Sequence, residues 1–197
     1  VLWGIPYLLI KVAVEDLSPP LIVLGRTVIG ALLLLPPALR RGEVALLRPH
    51  WRVLLVFTAI EVAGPWVLLN DAETHLHSSL AGLLVATTPL VAAVAGRWIG
   101  QHEPLDARRW LGLAVGLAGV GTLLGFDLRG ELGAGIEMGL VVLGYGVGPL
   151  IINRYFSDVP PGAVMGCTFA LTALVYAPVA PFVWPDHAPS LRVVLSV

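Results

Sequence analysis

The chain has 197 residues, of which 57% are hydrophobic and only 13% are charged, and its mean hydropathy is +0.86. Soluble domains are about one-quarter charged, so this composition excludes a soluble globular domain and favours a lipid bilayer as the solvent. The net charge of −1 provides no basic surface for nucleic acid. A single cysteine, Cys167, excludes an intrachain disulfide and a multi-cysteine metal site.

Long apolar runs recur along the chain and are separated by short polar segments. A helix needs about 20 apolar residues to cross the hydrocarbon core of a bilayer. We therefore expect spans at roughly residues 1–14, 20–39, 52–70, 79–98, 110–126, 133–152 and 161–184, with an eighth beginning near residue 191. No charged segment precedes the first run, so we expect a truncated span there and not a cleaved signal peptide. The sequence predicts an all-α, polytopic helical membrane protein.

Positive charges fall in alternate loops. Segments 40–52, 97–109 and 153–160 contain eight arginines, whereas segments 15–19, 70–78, 127–132 and 185–192 contain only Arg129 and Arg192. The positive-inside rule assigns the first set of loops to the cytoplasm. We therefore expect a multi-pass protein of the plasma (inner) membrane whose N-terminus is cytoplasmic.

The second and seventh predicted spans resemble each other. The stretch PPLIVLGRTVIG (19–30) aligns with PPGAVMGCTFAL (160–171), with Arg26 facing Cys167, and the preceding WGIPYLLIK (3–11) aligns with YGVGPLIIN (145–153). Five spans per copy is an odd number, so the second copy would enter the membrane inverted, as in many secondary transporters. Chance similarity between apolar helices is the alternative.

Two stretches carry a family resemblance, WGIPYLLIKVAVEDLSPPLIVLGR at 3–26 and SSLAGLLVATTPLVAAVAGRWIGQHEPLDARRWLGLAVGLAGVGTLL at 78–124. They resemble the opening and the fourth and fifth helices of EamA-type transporters of the drug/metabolite transporter superfamily. The matching residues are Ser78, Ala81, Pro89, Glu103, Trp110, Gly112, Gly116 and Gly119. His102 departs from the pattern, because a glycine often precedes the loop glutamate.

This resemblance implies ten helices in two inverted halves of five. It implies a first EamA-like repeat over residues 1–126 and the beginning of a second, inverted repeat over 133–197, with about three helices missing. The implied function is a transporter that moves a small organic metabolite, an amino-acid-like or drug-like solute, by alternating access. The partners are then that solute and the lipid bilayer.

Several residues also have direct physical explanations. Pro89 removes a backbone hydrogen bond and permits a kink in its span. Glycines four residues apart, at 112 and 116, 135 and 139, and 144 and 148, predict faces on which helices approach closely. Glu103 and Asp106 are expected in a charge cluster at a helix start.

Four charged residues lie within predicted spans, where charge is rare and points to function: Lys11, Arg26, Glu61 and Glu137. Lys11 lies about one turn from the outer loop, where snorkelling explains it equally well. Glu137 lies near a helix N-terminus, which favours a structural role.

Glu61 lies near the midplane of the third predicted span, with Thr58 and Pro65 as its helical neighbours. At 1.5 Å per residue, Arg26 lies at a similar depth. We expect these two residues to line a cavity and to bind a polar or zwitterionic solute or exchange a proton. A static pair that fixes helix packing is the alternative. The candidate substrate-binding residues are Glu61, Arg26, Lys11 and Thr58.

The segment NDAETHLH at 70–77 is expected in an outer loop. On a helix, Asp71 with His75 and Glu73 with His77 would be pairs able to hold a divalent ion, but a solvated polar turn is favoured. Neither a metal nor a cofactor is expected. An intramembrane hydrolase needs a buried nucleophile and base, and every histidine falls in a loop or at a span end, so no catalytic residue is predicted. A non-transporting membrane scaffold is the other alternative.

Overall fold

The structure is a computed structural model. It describes residues 4–98 and 132–185 without interruption and, outside these segments, residues 108, 111, 112, 114–116, 118, 119, 122, 190, 193 and 196. The features predicted at His102, Glu103, Asp106 and Trp110 lie outside the described residues, as does much of the predicted span at 110–126.

The described residues form helices and no strands. The α-helices are α1 (Gly4–Ala13), α2 (Pro19–Arg40), α3 (Trp51–Phe57), α4 (Gly64–His75), α5 (Ser78–Val85), α6 (Thr88–Trp98), α7 (Leu132–Tyr155) and α8 (Pro161–Tyr176). A π-helical segment, Thr58–Ala63, joins α3 to α4. Two 3-10 helices cover Glu43–His50 and Ala180–Phe182.

Four of the described helical segments are long and apolar enough to cross a membrane: Pro19–Arg40, Glu43–His75, Ser78–Arg97 and Leu132–Tyr155. Helix α8 ends at Tyr176 and is shorter than the span predicted at 161–184. Pro178 follows two residues later and has no N–H with which to continue the helical hydrogen bonding. Leu32 and Leu33 are each 69% exposed, as expected for a surface that faces lipid. The chain is a polytopic helical membrane protein, as predicted.

Helices α2 and α8, whose sequences align, pack against each other. Gly166 permits a close approach, because a Cβ atom at this position would lie 3.0 Å from the backbone nitrogen of Leu35. Three aligned pairs are buried in both helices: Ile22 and Ala163, Val23 and Val164, and Thr27 and Thr168. The two helices therefore bury corresponding faces.

The fourth predicted span is broken at Pro89. Helix α5 ends at Val85 and α6 begins at Thr88. Pro89 has no N–H to donate to the carbonyl oxygen of Val85, and the Thr88 hydroxyl donates to that oxygen instead, at 2.6 Å. Side-chain hydroxyls commonly satisfy backbone groups freed in this way. The sequence predicts a kink at Pro89, and the structure has a break between two helices there. The freed carbonyl oxygen of Val85 is satisfied from within the chain.

The prediction of an outer loop at 70–77 is wrong for residues 70–75, because α4 continues to His75. Asn70 is 1% exposed and Glu73 is fully buried. Polar side chains predict a loop when water is their hydrogen-bond partner. Here both side chains form hydrogen bonds inside the bundle instead. Among the described residues, no group of three or more histidine, cysteine or acidic side chains is arranged to hold a metal ion.

Candidate functional site

A cavity of about 960 Å³ lies between the helices of the described bundle. Its wall is mostly apolar, with a small number of polar and charged side chains. Those polar lining residues are Arg26, Glu61, Asn70, Ser78, Ser79, Thr88 and Tyr145. A large apolar cavity with a few polar groups is typical of small-molecule sites.

Glu61 reaches this cavity from the π-helical segment. The backbone N–H of Gly64 bonds to the carbonyl oxygen of Ala59, five residues back. The next residue, Pro65, has no N–H with which to restore the α-helical pattern at Glu61. Single π turns of this kind are rare and often occur at functional sites, because they redirect one side chain without ending the helix.

Helix α7 packs closely against this π turn through its glycines. A Cβ atom at Gly148 would overlap the Oε2 and Cδ atoms of Glu61, and one at Gly144 would overlap the carbonyl oxygen of Ile60. The Cβ at Gly144 would also lie 2.9 Å from Cγ of Pro65. The close helix approach predicted for glycines 144 and 148 is therefore confirmed. The Oε2 atom of Glu61 is buried and has no hydrogen-bond partner among the described residues.

Arg26 also lines the cavity. Its guanidinium interacts electrostatically with Tyr145 and with Glu73. Glu73 is thus a carboxylate that interacts with Arg26. The sequence did not predict this interaction, because Glu73 was expected in an outer loop. The structure brings Arg26 and Glu61 to one cavity, as the sequence predicts, and adds a second carboxylate behind its wall.

Lys11 holds α1 against the end of α4. Its Nζ atom donates to the backbone oxygen of Glu73 at 2.5 Å and to that of Leu76 at 3.1 Å. A cation at a helix C-terminus satisfies carbonyl groups that have no intrahelical donor and stabilises the helix dipole. Lys11 lies outside the described lining of the cavity.

Thr58 begins the π-helical segment, is 4% exposed and lies outside the described lining as well. Its Oγ1 atom has no hydrogen-bond partner among the described residues. Glu137, the fourth charged residue within a span, interacts with Asp71 and His75 on α4. The helix-start role expected of Glu137 stays a prediction, since the first turn of α7 contains no acidic residue.

Asn70 and Glu73 are buried polar residues that the sequence reasoning missed. The Nδ2 atom of Asn70 donates to the backbone oxygen of Trp66 at 2.5 Å. Oε2 of Glu73 accepts from the Ser78 hydroxyl at 3.2 Å. The spacing of Asp71 and His75 was the available signal, since an i,i+4 pair is typical of a helix that continues.

The model of the family described as "EamA-like transporter family" matches residues 1–125. The chain is 28% identical over 204 residues to a protein of Escherichia coli (strain K12) named inner membrane transporter YedA. This alignment covers 100% of the chain and 65% of the relative. It is 29% identical over 133 residues to transporter YvbV of Bacillus subtilis (strain 168), over 67% of this chain and 43% of the relative.

The chain therefore spans about 65% of the length of the Escherichia coli relative. A comparison with solved structures gives no significant match. The family match covers more than half of the chain, and the described helices are apolar and long enough to cross a membrane. The chain is a multi-pass membrane protein that belongs to the EamA-like transporter family.

Proposed function

We propose that this chain forms part of a transporter that moves a small organic metabolite, amino-acid-like or drug-like, across the plasma membrane by alternating access. The observation that carries this proposal is the cavity of about 960 Å³, which has a mainly apolar wall and contains both Arg26 and Glu61. Membership of a transporter family and two relatives named as transporters support it.

The proposed architecture is an inverted repeat, with one copy over residues 1–126 and the beginning of the second over 133–197. The burial of aligned positions in α2 and α8 and the direct packing of these helices support it. Residues of both copies line the cavity, among them Arg26 from the first and Tyr145 from the second. A movement of one copy against the other would then change the access to the cavity. We place the N-terminus in the cytoplasm.

Glu61 and Arg26 are the proposed solute contacts, with proton exchange at Glu61 as the coupling step. Both line the cavity, and charged groups within a membrane protein are characteristic of solute and proton pathways. Thr58 and Lys11 support this site from behind its wall. Thr58 packs in the same π turn as Glu61, and Lys11 positions the end of α4.

A screen of solute flux in proteoliposomes tests the proposal, with the full-length protein that contains this chain. We expect saturable uptake of at least one solute from a panel of amino acids and apolar amines. Ala86 is exposed and lines the cavity, so Ala86→Trp fills the cavity and should abolish this uptake. Ala45, exposed and outside the described lining, supplies the matched control Ala45→Trp.

A membrane scaffold is the alternative that the same screen separates from a transporter. A scaffold gives no flux above that of protein-free vesicles for any solute, and its cavity variants have no effect. The family and its relatives favour a transporter over an enzyme.

A further inference from the structure

Asn70 is a buried amide in the wall of the cavity. Its side chain is 1% exposed, and its Oδ1 atom has no hydrogen-bond partner among the described residues. Asparagine is rarely buried to this degree unless its polar atoms are paired. The unpaired oxygen therefore needs an explanation.

The hydrogen bond to Trp66 determines which amide atom is left unpaired. The atom 2.5 Å from the Trp66 backbone oxygen must be the amide nitrogen, because only that atom can donate to a carbonyl. The side-chain oxygen is then directed away from this bond. It can only accept hydrogen bonds, so a partner must bring a donor.

No described donor in the wall of the cavity bonds to Oδ1 of Asn70. The Ser78 hydroxyl lines the same cavity but donates to Glu73, and the Thr88 hydroxyl donates to the Val85 backbone oxygen. The rest of the wall includes Leu69 and Ile10, which are apolar, and Trp66, whose indole N–H does not bond to Oδ1.

We propose that Asn70 is a solute contact that selects molecules carrying an N–H or O–H donor on an apolar body. This inference rests on the proposed transport function and adds to it a residue and a chemical requirement. Oδ1 has almost no exposed surface, so a solute with a donor reaches it by displacing the side chains that cover it. A solute without a donor leaves the oxygen buried and unpaired. Sites that hydrogen-bond their ligand discriminate strongly for this reason.

Uncharged probes separate this requirement from the charges of Arg26 and Glu61. Benzamide has two N–H donors, and N,N-dimethylbenzamide has none but keeps the ring and the carbonyl group. The cavity volume of about 960 Å³ accommodates either molecule. Isothermal titration calorimetry on the purified full-length protein gives both dissociation constants. We expect benzamide to bind about tenfold more tightly, the effect of one hydrogen bond to a buried group.

Asn70→Leu tests the residue itself, because leucine has a similar volume and no acceptor. We expect the preference for benzamide to fall to within about twofold. The melting temperature should stay the same or rise, because the unpaired oxygen is removed. A residue that only supports the fold would show the reverse, a lower melting temperature and an unchanged preference. Asn70→Ala provides a second variant without the acceptor if the leucine variant does not fold.

Thr168 supplies a matched control. It is fully buried and its Oγ1 atom has no partner among the described residues, but it lies outside the described lining. Thr168→Val should therefore keep the tenfold preference.

Three results would overturn the inference. Equal affinity of the two probes for the parental protein would show that Oδ1 gains nothing from a solute, as when a water molecule pairs with it. Retention of the preference in Asn70→Leu or Asn70→Ala would assign it to another residue. Either result leaves the transport proposal intact. Absence of binding by both probes would contradict the cavity as a solute site, and with it the proposed function.

Discussion

The carboxylate of Glu61 occupies the space that a Cβ atom at Gly148 would fill, so that no other residue at position 148 leaves this carboxylate in place. Glu61 belongs to the π-helical segment Thr58–Ala63 and Gly148 to α7, which lies in the proposed second repeat. The two proposed halves therefore meet at the one carboxylate that lines the cavity among the described residues.

Gly148→Ala should reduce transport while preserving the fold. The added methyl group meets the far end of a flexible side chain, so Glu61 moves and the backbone does not. We expect at least a tenfold loss of flux and a change of less than about 1 kcal/mol in the free energy of unfolding, since alanine also favours the helix.

Gly144→Ala and Gly139→Ala are the matched controls. A methyl group at 144 meets the Ile60 backbone oxygen, and such overpacking costs about 1–3 kcal/mol. A Cβ at 139 meets nothing within 4 Å, so this variant should behave as the parent. Normal flux in Gly148→Ala would show that the position of the Glu61 side chain has no role in transport.

Arg26→Ala should destabilise the protein, because Arg26 is one of two cations, with Lys11, that interact electrostatically with the buried Glu73. Lys11 remains in the variant, so we expect a loss of about 1 kcal/mol in the free energy of unfolding. Arg26 interacts electrostatically with Glu73, so a double-mutant cycle with Glu73→Gln should show a coupling of about 1 kcal/mol or more. A second cycle with Glu61→Gln tests the predicted pair in the cavity, for which we expect a smaller coupling. Additive effects in both cycles would refute Arg26 as an ion-pair partner.

Lys11→Met should lower the free energy of unfolding by about 1–3 kcal/mol, because two backbone carbonyl groups at the end of α4 lose a charged donor. Thermal unfolding in detergent measures this loss. Arg41→Met is the control, since the Arg41 side chain is 72% exposed and pairs with Glu43 only at 3.8 Å, an arrangement that contributes little. Equal melting temperatures for the two variants would contradict the capping role.

The orientation of the chain can be measured by labelling single cysteines in a Cys167→Ala background. Ala45 and Thr74 are both exposed and lie at opposite ends of the helical segment Glu43–His75. An impermeant thiol reagent applied outside intact cells should label Thr74→Cys and not Ala45→Cys. The reverse pattern would invert the proposed topology, including the cytoplasmic N-terminus.

Features that depend on composition and local chemistry were predictable from the sequence. Apolar runs located the four helical segments that are long enough to cross a membrane. Pro89 indicated a distortion of its span, and the spacing of Gly144 and Gly148 indicated a close helix approach. These residues act through their own backbone or through the absence of a side chain, so no knowledge of the partner is needed.

Features that depend on which residues pack together in the folded bundle were not predictable from the sequence. Asn70 and Glu73 look like loop residues because their polarity is compatible with water, and only the packed bundle shows that Trp66 and Ser78 are their hydrogen-bond partners. Lys11 is 62 positions from Glu73 along the chain. The π turn at Glu61 was not predicted, because it depends on the space that Gly144 leaves on α7 as well as on Pro65 in its own helix.

Solute counterflow in proteoliposomes, with Glu61→Gln compared with the parent, tests the central claim most directly. Glutamine keeps the shape of the side chain and removes its charge, so the variant should insert and fold normally. We expect flux to fall at least tenfold. Glu15→Gln, the same change at an exposed position outside the described lining, should transport at the parental rate. Parental flux in Glu61→Gln across the pH range would contradict the account and leave Glu61 as a packing residue.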